Sequence, residues 1–222
     1  MERRADVCPS QTEHIRFNPA PETKGDDVEF RLVYRGRLPA ASQSDTRSME
    51  KHHIRRKLNP QLRELWKIHP ELKARQEDST QGGGWIDMEA ANYERCGKTF
   101  VPLLTAHRGL ACALDILFLR RDAPGRVIQG GDIDNRLKVL FDGLRIPIDC
   151  GEIPKSWIPE ENETPLFCLL DDDRIITTLN VTTDRLLTPL GDGEAVNDVE
   201  LIIKVSAIIT DFDKAPWGFL AV

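Results

Sequence analysis

The sequence lacks the features that mark membrane, secreted and zinc-binding proteins. No apolar run reaches the roughly 18 residues that a membrane-spanning helix requires. The first residues, MERRADVCPSQTEH, lack the apolar segment of a secretory signal. The cysteines are odd in number and form no C-x-x-C pair, so they predict neither a disulfide framework nor a zinc site: Cys8, Cys96, Cys112, Cys150 and Cys168. We therefore expect a cytoplasmic protein without a membrane partner.

The chain also has fewer basic than acidic residues, which counts against a nucleic-acid partner. The formal net charge of the chain is −6, and an acidic protein is repelled by a polyanion. Between Arg47 and Arg75, however, nine Lys or Arg residues stand against three Glu, a local net charge of +6 that leaves −12 for the rest. The basic charge is therefore concentrated in one segment, which keeps a DNA partner open.

A length of 222 residues falls within the range of one domain. Residues 1–25 carry charge and proline without periodicity and are expected to form a flexible arm before a single domain at 26–222. Within that domain, four segments have the alternation or apolar continuity of strands: Val28–Tyr34, Leu110–Leu119, Ile175–Val181 and Val199–Ala207. The second of them is apolar at both parities, which predicts a central strand buried on both faces.

Two helices are predicted to pack on this sheet. Met49 to Ile68 has apolar side chains at helical spacing, with a break expected at Pro60, and a second amphipathic helix begins near Asp134. The region between these helices gives at most a short helix from Met88 to Arg95. The predicted fold class is therefore α/β, a mixed sheet of about four strands flanked by helices.

The face of the first helix that points away from its apolar residues is basic. Such a run of charges usually forms a solvated surface, and phosphate contacts are the functional alternative. A second basic stretch follows Leu110–Leu119 and leads the chain to a group of acids. The candidate DNA-binding residues are Arg55, Arg56, Lys57, Arg63, Arg120, Arg121 and Arg126. His52 and His53 point apart on a helix without a third ligand, so they do not indicate a metal or acid–base site.

Carboxylates crowd the start of the second helix. Asp132 is predicted just outside this helix, whereas Asp134, Lys138 and Asp142 follow at i, i+4 and i+8 on one stripe. Helix capping and i, i+4 pairing explain Asp134, but they do not explain Asp132, whose charge adds repulsion. Two close carboxylates favour a divalent cation such as Mg²⁺. The spacing alone leaves both an ordinary helix start and a metal site open.

The ordered polar residues of DIDNRLKVLFDGL, LLDDDRI and ITTLNV resemble the motif of the RusA-type Holliday junction resolvases, endonucleases common in phages. That motif is D-x-D-N, a lysine three residues later, an aspartate four residues after the lysine, and a paired DD before a strand. The matching residues are Asp132, Asp134, Asn135, Lys138, Asp142, Asp171 and Asp172. The resemblance covers roughly residues 110–182. A Pro-rich span at about 145–166 is longer than the family's connection and is an insertion.

The resemblance implies a RusA-like fold and a metal-dependent endonuclease that resolves branched DNA such as a four-way junction. The implied site residues are Asp132, Asp134, Asp171 and Asp172 as ligands of Mg²⁺, with Mn²⁺ as the alternative ion, Lys138 as the cation on the attacked phosphate, and Asn135 and Asp142 in supporting roles. Of the acids, Asp132, Asp134 and Asp172 are the ones expected to be catalytic together with Lys138.

The resemblance also implies a homodimer, because a four-way junction has two-fold symmetry and needs two matched cuts. Two alternatives come from other function classes. One is a catalytically inactive or regulatory DNA-binding relative of the same fold. The other is a protein without a nucleic-acid partner, in which the acids hold a structural divalent ion.

Overall fold

The computed structural model describes residues 28–39, 44–70, 72–73, 85–121, 132–190, 197–211 and 213–214, with the side chains of 44–46, 85 and 132 outside the description. The expected flexible arm at 1–25 and the candidate Arg126 lie outside these ranges, so the structure says nothing of either.

The main sheet contains the four strands that the apolar patterns predict. They are β1 (Glu29–Arg37), β4 (Leu110–Arg120), β6 (Ile176–Arg185) and β7 (Asp198–Ile209). Their order is β1, β7, β4, β6, with β7 antiparallel to β1 and β4, and with β6 parallel to β4. The predicted α/β class with a mixed four-stranded sheet is confirmed.

A second, smaller sheet was not predicted. It joins β2 (Glu94–Arg95), β3 (Lys98–Leu104) and β5 (Leu166–Leu170) in that order. The expected short helix lies earlier, as α2 at Trp85–Asn92. β3 and β5 pair in parallel, and all five residues of β5 are buried. Because strands buried on both sides lack alternation, and because their partners lie far apart in the chain, local periodicity does not reveal this sheet.

The basic helix, α1 (Ser44–Ile68), runs through Pro60 without the predicted break. Proline removes one backbone donor and strains the preceding turn, a cost of about 3 kcal/mol in a helix interior. Pro60 lies on the exposed side, and the opposite face buries Ile54, Leu58 and Trp66 in the core. Burial of that face on both sides of the proline offsets the cost. Neither α1 nor any other helix in the described ranges is long and apolar enough to cross a membrane.

Strand β4 is central but is not buried on both faces, so that prediction is wrong. Leu114, Ile116 and Phe118 are fully buried on the face that the helices cover, whereas Asp115 on the opposite face is exposed. The apolar residues of the opposite face are half-buried within the sheet itself. Apolar residues at both the odd and the even positions therefore predicted more burial of this strand than the structure shows.

The acidic helix, α3 (Asp132–Leu144), begins two residues earlier than predicted, so that Asp132 is inside the first turn rather than outside the helix. Leu140 and Leu144 are buried as expected, while Leu137 and Phe141 are half-buried. Gly143 also belongs to the packed surface, which the sequence did not predict. A Cβ built at this position would stand 2.7 Å from Ile54 Cβ of α1. Only a residue without a side chain lets the two helices approach so closely.

Cys96 and Cys150 form a disulfide bond with a Cα–Cα distance of 5.9 Å. It links the turn between β2 and β3 to the insertion. The cysteine pattern predicted no disulfide framework, and this bond corrects that prediction. A separation of 54 residues shows why spacing gave no signal, because tertiary structure alone brings the two residues together.

Candidate functional site

The first turns of α3 present the candidate acids to solvent. Asp134 and Lys138 keep 58% and 71% of their side-chain surface exposed. Lys138 Nζ lies 3.5 Å from Asp134 Oδ2, a loose surface pair that contributes little to stability. Asp132 belongs to the same helix start, and Asn135 is half-buried beside it. The Asp134 carboxylate and the Lys138 ammonium are therefore accessible to a ligand.

The second group of acids lies between β5 and β6. Asp171 Oδ2 accepts a hydrogen bond from the Ala106 backbone N at 3.0 Å, and burial raises the pKa of Asp171. Asp172 caps a short 3₁₀ turn at Asp173–Ile175, and its two oxygens accept from the Arg174 guanidinium at 2.9 and 2.7 Å. These bonds from Arg174 lower the pKa of Asp172 to about 2. Asp172 thus stays ionised and already has a cationic partner.

Long-range contacts fix the two ends of α3. Near its start, Arg136 Nη1 donates to Leu38 O at 2.9 Å, beside the last residue of β1. Immediately after its end, Arg145 forms a bridge with Leu170, the last residue of β5. The helix is therefore held by the main sheet near its start and by the smaller sheet at its end.

Asp134 lies in the first turn of α3, whereas Asp171 and Asp172 follow β5. Ten helical residues from Asp134 to Leu144 span about 15 Å at the α-helical rise. Ile176, which follows the second acid group, pairs with Cys112 near the start of β4. The convergence of Asp134 and Asp172 on a shared ion stays a prediction.

Within the ranges that the structure describes, no three His, Cys, Asp or Glu side chains form a group able to hold a metal ion. Mg²⁺, however, is commonly held by one or two carboxylates with water and substrate phosphates. The Asp132 side chain lies outside the description, so a metal site formed by Asp132 and Asp134 stays a prediction.

Asp142 binds residues that hold α3 against α1, and it does not bind Lys138. Its carboxylate pairs with Lys51 of α1 at 2.8 Å and also with Arg145, while its backbone O accepts from Arg55 Nη2 at 2.6 Å. The expected support of Lys138 by Asp142 is therefore wrong, and Asp142 instead ties the end of α3 to α1.

The insertion covers part of the basic face of α1. The Arg55 side chain is fully buried, and its guanidinium donates to Arg145 O at 2.8 Å, to Asp142 O, and to Glu152 Oε2 at 3.3 Å. A buried guanidinium cannot reach a DNA phosphate. The prediction that Arg55 contacts DNA is therefore wrong, because an acid of the insertion neutralises it.

The insertion also binds the next arginines along α1. Arg56 forms ion pairs with Glu163 and, at 3.0 Å, with Glu160. Arg63 donates to the backbone oxygens of Thr164 and Pro165 at 3.3 and 3.2 Å. Both guanidinium groups bind the insertion, and the Arg56 side chain also keeps 40% of its surface exposed.

The basic stretch after β4 is placed in a similar way. Arg120 is buried, which excludes a direct DNA contact in this conformation and corrects that prediction. Arg121 Nη1 donates to Leu186 O at 3.2 Å and to Leu187 O at 3.4 Å. Its guanidinium ties the end of β4 to the segment that follows β6.

One predicted basic residue, Lys57, does line an open surface. A cleft of about 790 Å³, at the end of β1 and the start of β7, is bordered by the basic residues Arg35, Arg37, His53 and Lys57 and also by two acids, Asp198 and Glu200. Arg35 pairs with Glu200 at 2.7 Å. Arg37 and Lys57 are exposed and have no ion-pair partner among the described side chains. This group of four residues is called the basic cleft below.

Sequence reasoning missed Arg35, Arg37 and His53 as part of this surface. The two arginines stand at alternate positions of a predicted strand, where exposed charged residues are ordinary. The only available signal was that both flank Gly36 at the strand's end. Their approach to Lys57 depends on how α1 packs against β1.

Comparison of the chain with models of known protein families, with curated proteins and with solved structures found no match.

Proposed function

We propose that the chain is a Mg²⁺-dependent, structure-selective endodeoxyribonuclease that cuts four-way junctions or related branched DNA. The observation that carries the proposal is the start of α3, where the D-x-D-N spacing with Lys138 stands open to solvent. The resemblance to RusA-type resolvases rests on the same residues.

The basic cleft supports the proposal by its position. Arg136, two residues after Asp134, reaches Leu38 O, and Leu38 directly follows the cleft residue Arg37. The candidate acids and the unpaired cations of the cleft therefore lie at the same end of the main sheet. A DNA strand held there by its phosphates would pass close to Asp134. The net negative charge of the chain does not oppose this, because local positive potential steers a polyanion.

Each residue at the helix start has a chemical task in this proposal. Asp132 and Asp134 would hold the ion together with water and phosphate oxygens. Bound Mg²⁺ would polarise the phosphodiester and make a coordinated water more acidic. Lys138, which is only loosely paired, would stabilise the negative charge that develops on the attacked phosphate. Asn135 would hold the helix start in place.

Two further parts of the proposal follow from the task. A homodimer would place two such helix starts around a two-fold axis, which matches the symmetry of a four-way junction. A cytoplasmic location would give the enzyme access to DNA. The proposed homodimer and the proposed location both depend on the proposed cleavage activity.

A second candidate function is favoured by one observation, the basic cleft, whose lining does not include Asp134, Asp171 or Asp172. A protein that binds branched DNA without cutting it needs the basic cleft but does not need a complete metal site. This candidate predicts salt-sensitive junction binding with no cleavage under Mg²⁺ or Mn²⁺.

The test is incubation of the full chain with a labelled four-way junction and a matched duplex, in Mg²⁺ and in EDTA. The proposal expects junction cleavage in Mg²⁺ only, and a loss of several orders of magnitude in Asp134→Asn with binding retained. Binding without cleavage would replace the enzyme by the second candidate. Absence of both would leave a protein without a DNA partner.

Asp172→Asn is the matched variant for the third acid. If the two helix-start carboxylates suffice, it keeps most of the cleavage activity. A loss equal to that of Asp134→Asn would show instead that Asp172 belongs to the same metal site, as the family motif implies.

A further inference from the structure

A second cavity, of about 370 Å³, lies between α1 and the insertion. Its inner wall includes His52 and Trp157, and its outer wall includes Met49, Ser156 and Ile158. The size falls within the range of small-molecule sites and exceeds the volume of a nucleobase, which is on the order of 120 Å³. The cavity lies along the insertion between Glu152 and Glu163, the two acids that bind arginines of α1.

The inner wall is aromatic and rigidly held. The His52 and Trp157 rings have their centroids 4.1 Å apart, and Trp157 Nε1 donates to Glu163 Oε2 at 3.0 Å. His52 is 4% exposed, and neither of its ring nitrogens has a hydrogen-bond partner among the described residues. Burial, followed by the charge of Arg55, lowers the pKa of His52 to about 3, so its ring is neutral at pH 7. Trp157 is 8% exposed, so only small parts of these two uncharged rings face the cavity.

The mouth of the cavity exposes two large apolar side chains. Met49 is 59% exposed and Ile158 is 82% exposed, one on each side. Exposed apolar groups around a concave site commonly mark a place that a ligand covers. Ser156, Arg56 and Glu160 stand beside them and supply polar donors and acceptors.

The cavity and the basic cleft are neighbours along α1, because His53 lines both. Adjacent residues of one helix point to different sides, so His52 faces the aromatic cavity while His53 borders the cleft. Cations for a phosphate backbone and an aromatic cavity for a planar ring thus lie side by side along α1. Single-stranded DNA is bound by this combination, in which the backbone follows positive charge and bases stack on aromatic side chains.

We propose that this cavity, called the base pocket, receives one unpaired nucleobase of a DNA strand whose phosphates lie in the basic cleft. The proposal rests on the proposed function, since it assumes that DNA is the ligand of the cleft. It deepens that function by naming unpaired bases at a branch point as the feature that is recognised. Mixed polar groups at the mouth would contact the base edge, and the apolar wall would accept any base.

The test compares two fluorescein-labelled ten-residue strands in EDTA by fluorescence anisotropy, one of thymidine and one abasic. Both carry the same phosphate charge. The full chain is expected to bind the thymidine strand about tenfold more tightly, as stacking of a base on an aromatic wall provides. Ile158→Glu, a change at an exposed position that leaves the core intact, should reduce this preference to less than about threefold.

Met88→Glu is the matched control, because Met88 is an exposed apolar residue of α2 that lies outside the cavity. It adds the same charge and should keep the full preference. Equal affinity of the wild type for both strands would overturn the base pocket and leave an apolar side chain of a protein partner as its occupant. Unchanged preference in Ile158→Glu would overturn it as well.

Cleavage of the four-way junction, measured on the same preparations, separates the two proposals. Base preference without cleavage would refute the nuclease and retain the base pocket. Cleavage without base preference would refute the base pocket and retain the nuclease.

Discussion

Glu152 is predicted to be the acid on which the packing of the insertion against α1 depends. Its Oε2 accepts from Arg145 Nη1 at 2.8 Å and pairs with Arg55 at 3.3 Å, while its Oε1 accepts from Lys51 at 2.9 Å. The three cations are largely or fully buried. Glu152→Gln keeps the shape of the side chain and removes the charge, so Arg55 would lose its carboxylate partner and Lys51 and Arg145 would keep only Asp142. Breaking a buried ion pair in this way costs about 3–5 kcal/mol of unfolding free energy.

The pKa of Glu152 gives a second measure of the same effect. Burial by itself raises this pKa, but hydrogen bonds from Arg145 and Lys51 outweigh it and bring the pKa from 4.5 to about 2. A depressed carboxyl pKa contributes stability that is present above the unfolded value and is lost as pH falls through the folded value. The contribution is about 3 kcal/mol at pH 7 and falls to about 1 kcal/mol at pH 3.

The assay is urea unfolding followed by circular dichroism at several pH values, on the wild type and on Glu152→Gln. The variant should lose about 3 kcal/mol or more at pH 7, and the difference from the wild type should shrink below pH 4.5. Glu161→Gln removes an exposed acid of the same insertion and should change stability by less than about 0.5 kcal/mol. A loss in Glu152→Gln below about 1 kcal/mol, or a difference that does not change with pH, would refute the role given to this carboxylate.

Three further predictions concern charge, catalysis and the disulfide. Lys57→Glu should weaken junction binding and reduce the log–log salt slope by about 0.9, whereas Lys67→Glu, which lies outside the basic cleft, should leave the slope unchanged in a filter-binding titration. Lys138→Ala should abolish junction cleavage without changing Mg²⁺ affinity by calorimetry, and wild-type cleavage rates in this variant would exclude Lys138 from the chemistry. Reduction of Cys96–Cys150 should lower stability by about 4 kcal/mol, as expected for a bond that closes a 54-residue separation. Cys96→Ser should then unfold identically with and without dithiothreitol, and a reductant effect that persists in it would contradict the assignment.

Local sequence determined the elements whose residues alternate between water and the core. β1 and β7 could be predicted because one face of each is buried and the other is not, so burial repeats with the period of the strand. The amphipathic part of α3 was predictable for the same reason. The exposed positions of Asp134 and Lys138 also follow from this spacing, since they stand on the stripe opposite the packed residues.

Only the tertiary structure decided which charges remain available. Arg55 and Lys57 are near neighbours in one basic run, yet the first is neutralised by Glu152, a residue 97 positions away, and the second borders the open cleft. The sequence of α1 contains no sign of this difference. A charged side chain is buried or exposed according to the free energy of pairing with groups that another segment supplies.

The placement of α3 was decided in the same way. The spacing of Asp134 and Asp172 along the chain does not tell whether their carboxylates meet. The course of α3 is set by long-range contacts at its two ends, Arg136 with Leu38 and Arg145 with Leu170. Sequence patterns report local periodicity, whereas the meeting of distant side chains depends on packing and on the closure of long loops, which no local pattern contains.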